Sequence, residues 1–304
     1  MRFGLLLKRF WQMKCDLCPR HCDVNRLQQK GYCQSGMLPR IARAGLHMWE
    51  EPCISGTKGS GTIFFSGCNL KCVFCQNYEI SHESVGKEIT VERLGTIMDE
   101  LWQMGAHNIN LVSATHYVHA LWELFEAGYE KKIPIVYNCG GYESVETLKR
   151  LEDIVDIYLP DMKYAENALA KQYSSAQNYV ETAQKAIREM YRQKGNLQLD
   201  DVGLAKKGVL IRHLILPGHT QNSMQVLDWI KEQFGTEAYC SLMCQYVPAG
   251  RANDFSKINR KLTTYEYDKV CDHAIRAGFQ NAYIQERTAA DEKYIPAFDF
   301  TGVS

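Results

Sequence analysis

The stretch Phe64, Phe65, Ser66, Gly67, Cys68, Asn69, Leu70, Lys71, Cys72, Val73, Phe74, Cys75 decides how this chain is read. Thr62 to Ser66 is rich in β-branched and aromatic residues and reads as a strand. The three cysteines, spaced C-x3-C-x2-C, therefore fall on the loop at its carboxyl end. Thiolates at this spacing can wrap three corners of an iron-sulfur cubane, and a cluster with cysteine on every corner needs a fourth ligand nearby. The loop supplies none. The fourth iron is left open to bind something else, which separates a reactive cluster from a plain electron carrier. A structural zinc asks for four protein ligands, so the spacing favours the cubane.

Outward from this loop, short β-rich runs alternate with stretches of helical period. Strands are expected at Thr62–Ser66, Ile109–Val112, Ile133–Tyr137, Ile157–Pro160, Val209–Leu216 and Ser241–Tyr246. Helices are expected over Val91–Met104, with Leu94, Met98, Leu101 and Trp102 on one face, and over Ser144–Ile154 and Tyr179–Tyr191. Parallel strands need crossover helices, and such crossovers are right-handed. Six βα units then curl into a partial or complete α/β barrel with helices outside and active residues at the carboxyl ends of the strands. A doubly wound open sheet shows the same alternation. Asn281–Gln285 is expected as a further edge strand, and the tail to Ser304 to pack across the surface. Residues 1–60 have little periodicity and read as a cysteine-rich extension to a core over 61–304, while Gly195–Lys207 reads as a surface loop.

The 35 basic and 35 acidic side chains cancel, so overall charge draws neither nucleic acid nor an anionic membrane. Phe3–Leu7 is apolar, but Lys8 and Arg9 interrupt it short of a signal-peptide core. A cytoplasmic protein is expected, and in a reducing compartment clustered thiols are metal ligands more often than disulfides. Of twelve cysteines, Cys15, Cys18, Cys22 and Cys33 form C-x2-C-x3-C-x10-C in a region poor in apolar residues. Four thiolates there point to a second metal as a staple, zinc or iron-sulfur, since both accept four sulfurs. Arg20, His21 and Arg26 beside them are candidates for partner recognition or for plain solvation. Cys53, Cys139, Cys240, Cys244 and Cys271 are dispersed and read as small buried hydrophobes.

The triad, with Phe74 just before its third cysteine and its place after the first strand, resembles the signature of the radical S-adenosylmethionine (SAM) superfamily. That resemblance implies a partial (β/α)6 barrel holding a 4Fe-4S cluster whose open iron chelates SAM, with reductive cleavage to a 5'-deoxyadenosyl radical. Further along, the chain is most similar to the pyruvate formate-lyase activating enzyme branch and its uncharacterised PflX-like relatives. Ser113, Ala114, Thr115 and His116 stand where activating enzymes carry Gly-Gly-Glu, so the hydroxyls of Ser113 and Thr115, or backbone carbonyls, are candidate acceptors for the SAM amino group, and His116 a proton donor, a substrate contact or a satisfied strand-end histidine. Asn138, Cys139, Gly140 and Gly141 match a turn close to the cofactor. Asp161, Met162 and Lys163 are similar to the family's Asp-Leu-Lys. Ile211 to Gly218 resembles its Ile-Arg and Pro-Gly strand, with Arg212 pointing inward and the SAM carboxylate a candidate partner. Gln245 replaces a histidine near the nucleoside. The implied partners are SAM, a glycyl radical enzyme and a flavodoxin- or ferredoxin-type reductant. Modification of another peptide or a small metabolite, and a non-catalytic electron-transfer or metal-sensing role, are the competing readings.

Overall fold

The computed structural model describes residues 14–285 and 296–304. The apolar run Phe3–Leu7 lies outside them. Eleven strands occur among the described residues: β1 Arg40–His47, β2 Ser60–Phe65, β3 Lys87–Glu88, β4 Ile109–Val112, β5 Ile135–Cys139, β6 Ile157–Pro160, β7 Gln198–Leu199, β8 Ala205–Val209, β9 Ile211–Leu214, β10 Cys240–Met243 and β11 Ala282–Ile284.

β2, β4, β5, β6 and β8 pair in parallel in that order, and β9, β10 and β11 continue in parallel as a second sheet. The two sheets join where Asp161 bridges Arg212 and Met162 N–H donates to the Arg212 carbonyl at 2.8 Å. The result is a partial barrel of parallel strands. The join sets β9 beside β6, with β10 and β11 following beyond β9.

Departures from the expected elements have local causes. Pro134 has no N–H to give a ladder, so the third strand starts one residue after it and runs on to Cys139. The run Val209–Leu216 divides at Leu210, where the chain leaves β6 for β10: Leu210 N–H donates to the Tyr158 carbonyl and Ile211 N–H to that of Tyr239. β10 stops at Met243 because Cys244 N–H turns to the Gln285 side chain at 3.1 Å. The expected helix over Ser144–Ile154 is regular only over Val145–Lys149, beyond which Arg150, Leu151 and Ile154 bond three residues back.

Three readings are corrected outright. Residues 40–47, taken as aperiodic, form a strand antiparallel to β2. Within Gly195–Lys207, β7 and β8 make a hairpin whose turn is held by Asp200, which accepts from Val202 and Leu204 N–H. Trp102 is exposed, while the helix Val91–Gln103 buries Leu94, Ile97, Met98 and Leu101. The carboxyl-terminal tail does lie along the surface, exchanging backbone bonds with β1 through Phe300 N–H to Ala42 O and Ala44 N–H to Thr301 O.

Candidate active site

The triad loop leaves β2 at Gly67, whose φ of +90° suits glycine, and a Cβ there would stand 2.5 Å from the Cys33 carbonyl oxygen. Its backbone is clamped from three directions. Val73 N–H donates to Tyr173 O at 2.9 Å, Arg251 N–H to Val73 O at 2.7 Å, and Arg20 Nε to Asn69 O at 2.7 Å. Phe74 packs on Tyr173 and Tyr246. Cys68 Sγ accepts from Leu70 N–H at 3.3 Å, and Cys72 Sγ accepts the Ser174 hydroxyl at 2.9 Å. Burial, then the charges of Cys68 and Cys72, push the Cys75 thiol up to about 12. Three thiolates in this setting need a cation among them to coexist, which is the electrostatic requirement an iron-sulfur cluster meets.

The three cysteines line a cavity of about 460 Å³ at the carboxyl ends of the strands. Ser113, Thr115, Asn138, Asp161, Lys163, Arg212 and Gln245, each picked out from the sequence, line it too. Ser113 sits in the left-handed region at φ 59° and its N–H donates to Asn138 O at 2.9 Å. Gln245 accepts from Gln285 Nε2 at 2.9 Å through its side chain and from Gln76 Nε2 at 2.8 Å through its carbonyl. Cys139 also faces the cavity.

The charged residues pair with each other. Arg212 donates Nε to Asp161 at 3.0 Å, Nη1 to Glu50 at 2.9 Å and Nη2 to Asn138 Oδ1 at 2.5 Å. Lys163 Nζ donates to the other oxygen of Asp161. Burial alone would raise the Asp161 carboxyl, but the Lys163 and Arg212 charges hold it below its ordinary value. The carboxylate partners of Arg212 are thus supplied by the chain itself.

Glu50 and Glu143 were not picked out from the sequence. Glu143 is 1% exposed and accepts the Thr115 hydroxyl at 2.7 Å and the Tyr137 hydroxyl at 3.0 Å. Burial pushes its carboxyl up to about 7 against those bonds. Its position two residues after the Gly140-Gly141 turn was the available signal. His116 Nε2–H donates to Ser66 O at 2.8 Å, and burial pushes the ring down to about 3, so it is neutral and satisfied on that side at the strand end.

The four N-terminal cysteines lie on residues 14–39, which contain no helix or strand. Tyr32 N–H donates to Cys22 Sγ at 3.3 Å. Burial, then Glu143, Cys33 and Cys15, push Cys18 up to about 12 against the Arg20 N–H it accepts. Among the described residues no group of three or more histidine, cysteine, aspartate or glutamate side chains is gathered tightly enough to hold an ion as it stands. Arg26 is buried and Arg20 half-buried, and both guanidinium groups bond within the chain. Arg26 donates to His116 O at 2.5 Å, and Arg20 stacks on Tyr32 at 4.0 Å. His21 pairs with Asp16 at the surface.

Comparison with known proteins bears on this arrangement. A family model described as the radical SAM superfamily matches residues 62–230. The chain belongs to the radical SAM superfamily. A protein of Methanocaldococcus jannaschii, the uncharacterized protein MJ0674, is 31% identical over 268 residues, spanning 86% of this radical SAM chain and 74% of its own length. Among solved structures, Streptococcus suis SuiB bound to precursor peptide SuiA is 14% identical with a TM-score of 0.50, covering 72% of this chain and 46% of SuiB. HydG, a maturase of the FeFe hydrogenase, is 15% identical with a TM-score of 0.49, covering 75% of this chain and 52% of HydG. The chain spans about half the length of these two structures. The SuiB likeness concerns the radical SAM fold alone. No helix among the described residues is long and apolar enough to cross a membrane.

Proposed function

We propose that Cys68, Cys72 and Cys75 hold a 4Fe-4S cluster and that Ser113, Thr115, Asn138, Asp161, Lys163, Arg212 and Gln245 form the SAM site beside it. The observation that carries this is their convergence, with the triad, on one cavity at the carboxyl ends of the parallel strands. When bound there, the cluster and SAM supply reductive sulfonium cleavage and a 5'-deoxyadenosyl radical for hydrogen abstraction. The chain's own residues orient and enclose. Arg212 fixes Asn138 and Asp161, Asp161 aims Lys163 at the cavity, and Thr115, its proton committed to Glu143, keeps oxygen lone pairs for a ligand ammonium.

The resemblance to pyruvate formate-lyase activating enzymes supports a glycyl radical enzyme as the substrate, with reduction by a flavodoxin- or ferredoxin-type protein in the cytoplasm. The replaced Gly-Gly-Glu position favours a second reading, modification of another peptide or a small metabolite. Residues 1–60 are proposed as an extension, tied to a core over 61–304 through β1, whose Cys15, Cys18, Cys22 and Cys33 hold a second metal, zinc or iron-sulfur. The burial of Cys18 and Cys33, and the repulsion that Cys15 and Cys18 feel from the other thiols, support that reading.

The substrate is tested by electron paramagnetic resonance (EPR) of the anaerobic, reconstituted enzyme with SAM, reductant and candidate glycyl radical polypeptides. A carbon-centred signal on the partner, lost when its glycine is changed to alanine, is expected. SAM cleavage driven only by a small metabolite would overturn glycyl radical activation in favour of the second reading.

A further inference from the structure

Cys72 is the most buried of the triad and receives a hydrogen bond that no backbone group supplies. The Ser174 hydroxyl lies 2.9 Å from Cys72 Sγ, and the Tyr164 hydroxyl lies 2.7 Å from Ser174 Oγ. Both residues are fully buried. A serine hydroxyl has one proton, and a metal-bound thiolate can only accept, so Ser174 donates to Cys72 and Tyr164 donates to Ser174. The direction of the chain is thereby set.

What holds Ser174 comes from the N-terminal segment. Ser174 ends the helix Asn167–Ser174, whose last carbonyls have no partner within the helix. Arg20 supplies one, donating Nη2 to Ser174 O at 3.1 Å and Nη1 to Ser175 O at 2.6 Å while its Nε binds Asn69 O in the triad loop. A cation also suits a helix carboxyl end. One guanidinium thus ties the donor helix to the loop carrying the acceptor sulfur.

Resting on the reading that the triad holds a 4Fe-4S cluster, we propose that the hydrogen-bond chain from Tyr164 through Ser174 to Cys72 tunes the cluster's reduction potential upward, with Arg20 as the positioning residue that fixes its geometry. Reduction adds negative charge that spreads onto the thiolate sulfurs. A donor aimed at one of them stabilises the reduced state more than the oxidised state. Burial keeps water from replacing the lost donor. The Tyr164 phenol, raised well above its ordinary value by burial and then by Cys72, remains protonated and able to donate.

The test is an EPR-monitored redox titration of reconstituted wild type, Ser174→Ala, Tyr164→Phe and Arg20→Gln without substrate, with iron and sulfide counted for each. Ser174→Ala should move the midpoint to more negative potential, lowering the reduced-to-oxidised ratio at the wild-type midpoint about tenfold, or about 59 mV for one electron. Tyr164→Phe and Arg20→Gln should shift it the same way by less. A purely structural Ser174 would lower thermal stability and leave the midpoint in place, and an unmoved midpoint at full iron content overturns the proposal. Should Ser174→Ala fail to assemble its cluster, Tyr164→Phe decides by the same criterion, and loss of the cluster in both counts against tuning. A wild-type protein that takes up no cluster would sink the underlying reading instead.

Discussion

The two cysteine groups lie against each other but are held by opposite means. The triad hangs from the end of a parallel strand, its loop bonded to the backbone of Tyr173 and Arg251, and it faces a cavity that the ion network around Arg212 also lines. The four N-terminal cysteines sit on residues 14–39, which lack regular structure and rest on Arg20, Arg26 and the thiols' own hydrogen bonds. Where chemistry needs fixed positions, the chain spends backbone ladders and buried charge pairs. Where it covers the reactive loop, a few arginines tie residues 14–39 down.

The sharpest way to break that contrast is through the network. Arg212→Met leaves Glu50 without its cation and Asp161 with Lys163 alone, and should destabilise the whole barrel by about 3–5 kcal/mol in denaturant unfolding. An effect confined to residues 14–39 would contradict the assignment of rigidity to the barrel.

Glu143 gives the next largest effect. Its carboxyl is raised from 4.5 to about 7 in the folded protein. The native state therefore holds the proton more tightly than the unfolded one, so this contribution is full below pH 4.5 and is lost as pH rises through about 7. It amounts to about 3 kcal/mol. Glu143→Gln, which keeps an acceptor oxygen for only one of the Thr115 and Tyr137 hydroxyls but removes the titrating group, should flatten that part of the stability profile, measured by urea unfolding between pH 4 and 8.

The smallest effect on the barrel should come from the metal proposed for the N-terminal cysteines. A chelator, or Cys22→Ser, should open residues 14–39 to protease within the native state while leaving the barrel's cooperative melting almost unchanged. A collapse of the barrel transition would show that the cover is part of the core.

Much of the site was legible because it is local. The triad's spacing lies in one loop, β4 and β6 begin and end as their residues imply, and the polar residues at strand ends all reach one cavity. What escaped was long-range or disguised. Glu50 matters through Arg212, 162 positions away, and Arg20 through Ser175, 155 positions away. β1 hides its period behind Arg40, Arg43 and Gly45, whose side chains carry no apolar signal. Trp102 shares its helix's apolar spacing yet is exposed, since spacing ranks faces without saying how wide the neighbouring layer is. The direction of Arg26 was equally hidden, because a buried arginine aimed at a backbone carbonyl looks like a solvated one in the sequence.

The central claim is that three sulfurs anchor a cluster with one iron open to SAM. It is tested most directly by anaerobic reconstitution with iron and sulfide, then SAM and a strong reductant, with 5'-deoxyadenosine quantified for wild type and Cys72→Ala. The account predicts turnover in the wild type and a loss of at least about a thousandfold in the variant. Equal 5'-deoxyadenosine from both proteins, or none from a wild type carrying its full iron content, would contradict it.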